Sequence, residues 1–396
     1  MAFRPSLRRL QFLNAHQLKN AETYSQSVQK SSLAWPAYEK IRISTDSLAQ
    51  LKSLVSVLSP DSTRTNTLGS GINWLYFVDV PNADRRALLP SGAPRQMSPS
   101  LALMGLAVIP APFTNRVWAG GKLTWALGLP PPIVNLTRMC VSEVADSVVG
   151  RDLGGDRPSF KLQRRIAFRA DWQDRPLLVE VRTHVFTPEG SRPSRRPVSD
   201  LPTPTLKFEG YLPDALALYY YSLATRNPHR IHYDVEYARQ QGFEDVVVHG
   251  PLAASLLLHF LTSNLPTDLA IHSFEYKNTN ALYVKRKLSF YLAFRDPPPE
   301  TQTVFDPLLV LPRFSNGSEK TKQSDMRPRS VRLVADLWAA DEDGVVGVRA
   351  TALLVYYPQQ PMTGFGDPRP DRFSWSMQPP ESIMIPPREQ RWTSPF

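Results

Sequence analysis

Apolar and polar residues alternate along LTRMCVSEVADSVV (136–149) and PLLVEVRTHVF (176–186), the pattern of half-buried antiparallel strands. INWLYFVDV (72–80) is aromatic and β-branched and is a predicted strand. Ahead of it, Leu48, Leu51, Leu54 and Leu58 fall on one side of a predicted helix over 36–56. Residues 81–114 are Pro-rich without periodicity, which predicts a long loop leading to RVWAGGKLTWAL (116–127). The second half has the same order of helix, then strands. PLAASLLLHFLTS (251–263) is apolar all round and predicts a fully buried helix, with Pro251 in its first turn, where a missing N–H costs nothing. Strands follow over 269–282, 286–294, 331–340 and 344–357, the last two flanking the turn sequence DEDG (341–344). The Pro/Ser/Arg stretch 187–205 reads as a linker between domains at 36–186 and 206–357. Residues 296–330 read as an insertion, and 358–396, with nine prolines, as a tail.

Composition changes this picture in three places. The single cysteine, Cys140, excludes an intramolecular disulfide and a cysteine-rich metal site. No apolar run reaches the roughly 18 residues of a membrane-spanning helix, so no membrane partner is expected. The net charge of +10 raises nucleic acid as a partner, but no recognition motif accompanies it. The arginines are scattered, as in KLQRRIAFR (161–169), and a solvated basic surface or a surface for a phosphopantetheine-bearing carrier or cofactor accounts for them. The first 30 residues carry Arg4, Arg8, Arg9 and Lys19, no acid before Glu22, and Phe3, Leu7, Leu10 and Leu13 at helical spacing. That is the composition of a mitochondrial presequence.

The chemistry concentrates just before the buried helix. RNPHRIHYDVEYARQQGFEDVVVHG places Asn227, His229, His232 and Asp234 in a loop, then His249 and Gly250 at the helix start. Histidine gives and takes protons near neutral pH, and loops on rigid scaffolds are where such groups work. The remaining histidines have plainer readings: His259 in the core near the sheet, His184 structural in a strand. WAGG (118–121) suits a tight turn or bulge, with Trp118 and Gly120 as candidate contacts for a substrate chain. Lys285, Arg286 and Lys287 form a solvated run or a site for cofactor phosphates.

NPHRIHYDVEYA…VVVHGPLAASLLL resembles the signature of the MaoC-like hot-dog dehydratases, the type 2 enoyl-CoA hydratases. YYYSLATRNPHRIHYD, WLYFVDV, NRVWAGGKLTW, LLVEVRTHVF and LWAADEDGVVGVRATA narrow the resemblance to a two-domain branch. That branch contains mitochondrial 3-hydroxyacyl-thioester dehydratase and mesaconyl-CoA hydratase. The resemblance implies an α+β double hot-dog, each antiparallel sheet wrapping a central helix. The first hot-dog should be degenerate, because 36–186 lacks the histidine loop and the His-Gly pair. It places the catalytic histidine on His232. The wider family's partner aspartate falls on Asn227, which can orient water but not take its proton. Asp234 or His229 is then the candidate for the missing titratable group. Gly250 N–H is the candidate oxyanion donor, since the thioester oxygen gains charge in the reaction. His229, His249, Trp118 and Gly120 are expected to meet the substrate. The implied reaction is reversible loss of water from a (3R)-hydroxyacyl thioester in mitochondrial fatty-acid synthesis, without metal or other cofactor. The partner is acyl-CoA or an acyl-carrier protein, and the chain is a monomer or homodimer. Two alternatives stand beside it. One is a hydratase of a small unsaturated dicarboxylyl-CoA, which needs an internal cation. The other is an inactive binding or scaffold protein.

Overall fold

The computed structural model describes residues 13–30, 37–42, 89, 91–92, 110–126, 138–170, 176, 178–188, 191, 195–225, 227–266, 268–305 and 328–356. Among these, eleven strands form one sheet. The first half supplies β1 (Ala37–Arg42), β2 (Asn115–Trp125), β3 (Arg138–Arg151), β4 (Ser159–Ala170) and β5 (Leu178–Thr187). The second supplies β6 (Leu206–Tyr211), β7 (Leu269–Asn278), β8 (Leu288–Arg295), β9 (Thr303–Phe305), β10 (Pro328–Asp341) and β11 (Val346–Tyr356). The order is β1-β3-β4-β5-β2-β7-β11-β10-β8-β6, with β9 paired to β10. Read outward from the β2–β7 junction, both halves have the same order: second strand, last two, third, first. Each edge strand is the first of its half.

The sheet is continuous across the two halves on either side of stretch 187–205, passing from one to the other through β2 and β7. The linker is itself anchored. Arg196 and Asn280 exchange two hydrogen bonds, at 2.7 and 2.9 Å, and Val198 and Leu201 pack beside Trp338 and Val346.

Three expectations change. The helix expected over 36–56 begins instead as β1, which pairs with β3; the rest of it, like the strand expected at 72–80, lies outside the described residues. KLQRRIAFR lies within β4. Its inward positions Phe160, Leu162, Arg164, Ile166 and Phe168 are all buried, so the period-2 pattern is present with an arginine in an apolar place. Part of the expected presequence is structural. Helix α1 (Ala15–Lys30) buries Ala21 and sets Tyr24 against Phe160, ring centroids 5.7 Å apart.

The largest core cluster gathers around the long helix of the second half and draws in Leu123, Ile166, Phe168 and Leu178 of the first. α2 (Ala215–Thr225), which the sequence pattern did not mark, leads through a 3-10 turn at Arg230–His232 into the short α3 (Val235–Gln240). α4 (Gly250–Ser263) then runs inside the sheet against β2, β7, β8, β10 and β11. Nine of its residues are buried, including every leucine but none of its last two residues, which is why the sequence is apolar on all sides. Burying one such leucine contributes roughly 1.5–3 kcal/mol. The DEDG turn joins β10 to β11 as expected: Asp341 Oδ1 accepts from Val345 N at 2.8 Å and Gly344 takes a positive φ of 75°.

Candidate active site

His232 sits in the 3-10 turn, 7% exposed. Its Nδ1 lies 2.8 Å from the carbonyl of Val247, which can only accept. Nδ1 therefore carries the proton, and Nε2 is left with a lone pair: the tautomer of a base. Burial pulls the His232 pKa down to about 4, and the bond to Val247 opposes this weakly. The ring is neutral at physiological pH, as a base must be before it acts.

His249 lies face to face with His232, centroids 3.7 Å apart and planes 18° apart. It is fully buried, its Nε2 is 2.9 Å from Ser222 Oγ on α2, and its Nδ1 has no hydrogen-bond partner. Burial first, then His232 and His229, keep it neutral. His229 meets His232 edge-on at 5.6 Å and is held neutral by burial, by His232 and by the cation of Arg116 on β2. Three stacked or abutting imidazoles cannot readily gather charge. The arrangement secures His232 in its plane and in its unprotonated form.

Asn227 and Asp234 have structural partners. Asn227 Oδ1 accepts from His229 N at 3.2 Å, a turn that sets the start of the loop. Its amide nitrogen can donate to a leaving or attacking water but cannot take a proton. Asp234 caps α3 through Tyr237 N at 2.9 Å and pairs with Arg230 at 2.7 Å. Both carboxylate oxygens are so engaged, and these bonds hold its pKa below the usual range. It shapes the loop, and the geometry assigns it no proton from the substrate.

Gly250 opens α4, whose N-cap residue His249 makes no side-chain cap and whose first turn holds no acid. The positive end of the helix is thus available to a developing oxyanion. A Cβ on Gly250 would fall 2.3 Å from Asn278 Nδ2, so only glycine fits. Asn278 is a residue the sequence reading missed. Its Nδ2 donates to the Trp118 carbonyl at 2.7 Å, joining β7 to β2 beside the start of α4. Trp118 and Gly120 flank a bulge in β2, and Gly120 has φ 153° with the Tyr276 carbonyl where a Cβ would sit. Their tie to the site runs through Asn278. Trp118 itself packs on His184, centroids 5.1 Å apart, in the buried structural setting expected for that histidine.

The first half also reaches the loop through Ser91 and Gly92. The Ser91 carbonyl accepts from Arg230 N at 2.8 Å. Gly92, φ 83°, lies so close to the Pro228 carbonyl that a Cβ would be 2.0 Å from it. A glycine in a Pro-rich stretch was the one signal for this contact. His259 is on α4, largely buried, its pKa lowered by burial. Arg286 bonds Glu244 and Asp343, while Lys285 and Lys287 are exposed.

A loop histidine held neutral with a free lone pair, beside an uncapped start of a helix enclosed by an antiparallel sheet, is an arrangement suited to acid–base chemistry. Residues 71–284, more than half of the chain, match the family described as hydroxyacyl-thioester dehydratase type 2, and the chain belongs to that family. It is a hydro-lyase acting on acyl thioesters. The mesaconyl-C(4)-CoA hydratase of Chloroflexus aurantiacus is 26% identical over 246 residues, 60% of this chain and 79% of that protein. The mitochondrial hydroxyacyl-thioester dehydratase type 2 of Saccharomyces cerevisiae is 36% identical over 70 residues, only 17% of this chain and 24% of that protein. In structure the chain is similar to a MaoC-like dehydratase (TM-score 0.51, 11% identity, 82% of this chain and 98% of that one). It is similar also to the MaoC-like dehydratase of Phytophthora capsici (TM-score 0.50, 11% identity, 83% and 97%). The fold is the hot-dog fold of that group.

Proposed function

We propose that this protein reversibly dehydrates (3R)-hydroxyacyl thioesters to enoyl thioesters, in mitochondrial fatty-acid synthesis. The observation that carries the reading is the His232 tautomer, with Nδ1–H committed to Val247 and Nε2 open in a neutral ring. In dehydration, His232 Nε2 removes the α-proton. Charge moves to the thioester oxygen, where Gly250 N–H and the α4 dipole stabilise it. The C–O bond at the β-carbon breaks, and the proton returned by His232 lets hydroxide leave as water, with Asn227 Nδ2 holding that oxygen. Hydration runs the same steps backwards. No cofactor enters this scheme.

In the same reading the two halves are two hot-dogs fused in one sheet, and only the second bears chemistry. Their common strand order supports this. Mitochondrial import would use the residues ahead of α1, because cleavage after α1 would strip Ala21 and Tyr24 from Phe160. Residues 1–30 fused to a reporter should carry it to mitochondria; a cytosolic reporter counts against this placement.

One observation favours a second reading. Arg116 on β2 acts electrostatically on His229, which puts a cation in the neighbourhood of the histidine loop. A carboxylate on a small dicarboxylyl-CoA would find its counter-ion there. Hydration rates with crotonyl-CoA, a longer enoyl-CoA and mesaconyl-CoA separate the readings. Turnover of the first two supports the fatty acyl reading. Turnover confined to mesaconyl-CoA replaces it, and absence of turnover on all three leaves the inactive scaffold.

A further inference from the structure

We propose that the outer face of α2 is the docking surface for an acidic carrier domain that brings the acyl thioester to the site. The inference rests on the hydro-lyase reading above and adds the partner and its place.

The helix has two faces of unlike purpose. Leu218, Tyr221 and Thr225 are buried, and Ser222 Oγ holds His249. On the opposite side Leu216 is 59% exposed, Tyr219 52%, Tyr220 49% and Leu223 54%, with Leu212 at 52% just ahead of the helix. These positions follow i, i+3, i+4, i+7 and form one stripe. Polar residues there would fold equally well, so the fold does not account for an apolar stripe; contiguous exposed apolar surface marks an interaction site. The stripe runs toward the chemistry. α2 ends at Thr225, two residues before Asn227, and Tyr233 on the catalytic loop is 54% exposed.

Charge identifies the partner. Lys285 N–H donates to the Pro213 carbonyl at 3.0 Å, which fixes this lysine at the Leu212 end of the stripe. Lys285 has φ 63°, a left-handed conformation in which glycine or asparagine is more comfortable. Lys287, two residues on, is also exposed. The acid at this end, Asp214, accepts from Ala217 N at 2.6 Å and so caps the helix. Glu209 is paired with Lys207. An apolar helix face ending in two cations fits an acidic protein with apolar side chains of its own. A second copy of this chain fits less well. It would bring the same lysines together, on a chain of net charge +10, and would cover the loop that substrate must reach.

The test uses the full-length protein and the same enoyl group on CoA and on an acidic holo-acyl carrier protein. Leu216→Asp with Tyr220→Asp, and separately Lys285→Glu with Lys287→Glu, should raise KM for the carrier-bound substrate by about tenfold or more. Added salt should weaken the wild type in the same direction. For Leu216→Asp with Tyr220→Asp, kcat/KM with the CoA thioester should stay within about twofold. Equal losses on both thioesters, or no change on either, would overturn the docking surface while leaving the hydro-lyase reading intact. So would a wild-type dimer in sedimentation that Leu216→Asp dissociates. A wild type inactive on both thioesters would overturn the functional reading and this proposal with it.

Discussion

The two halves of the sheet share a strand order but use their interiors differently. The second half encloses α4, whose buried side chains are apolar apart from Ser255, and sets its polar groups at one end, where His232, His249 and Gly250 meet. The first half buries charge inside its sheet. Glu180 and Arg182 on β5 are 0% and 1% exposed and form two hydrogen bonds, at 2.7 and 2.8 Å, with Arg182 5.2 Å from the centre of the Trp118 ring. One half has an imidazole nitrogen and a helix end open. In the other the buried Glu180 and Arg182 satisfy one another. A buried group that is fully paired holds structure together; one left open is available for chemistry.

Removing the open base tests that contrast most strongly. His232→Ala should lose on the order of 10²–10⁴ in hydration rate of crotonyl-CoA, with the melting temperature little changed. Full activity would move the chemistry to His229 or His249. The first half should answer the other way. Arg182→Ala leaves Glu180 charged and unpaired, at a cost of roughly 3–5 kcal/mol in denaturant unfolding. Activity per folded molecule should persist at low denaturant; a selective loss of kcat would make the pair part of the site.

Gly92 asks whether the first half supports the catalytic loop from a distance. Gly92→Ala puts a methyl into the Pro228 carbonyl and should displace the loop that carries His232. A shift of about 1 Å is worth on the order of 10²-fold in rate. An active Gly92→Ala enzyme would show that the two halves work separately.

Acid is a gentler probe. His229, His232 and His249 are all held below the ordinary histidine pKa in the fold. The unfolded chain therefore binds protons first as pH falls. Stability should be level above about pH 6.5 and then drop, each histidine contributing about 1.4 kcal/mol per pH unit until it titrates in the fold. For His232 that end lies at about 4. A melting temperature unchanged between pH 7 and pH 5 would contradict the neutral triad.

The smallest expected effect is at Asn227. A carboxylate there can still accept from His229 N, so Asn227→Asp should preserve the loop and keep measurable activity. Its new acid should alter the acid limb of the pH–rate profile. An unchanged profile would place residue 227 outside the reacting groups.

Much of this was legible in the chain. The all-apolar run at 251–263 could only be a buried helix, alternation marked β3 and β5, and β7, β8, β10 and β11 were expected too, while β6 and β9 were not. The resemblance of the histidine motif grouped His232, His249 and Gly250, and each is held by a local turn or helix start. β4 escaped notice because Arg164 occupies an inward position, and composition hid its alternation. α2 escaped because its two faces are both apolar, so no contrast marked them. Tertiary structure alone decided what crosses between the halves. Asn278 reaches the Trp118 carbonyl 160 residues away, and Gly92 presses on Pro228. Tertiary packing also set the protonation of His232, since the acceptor at Val247 and the stacked His249 come from a segment 15 or more residues on. Local sequence specifies turns, periods and helix ends through short-range sterics. Which buried atoms end up paired and which remain open depends on contacts that only the folded chain makes.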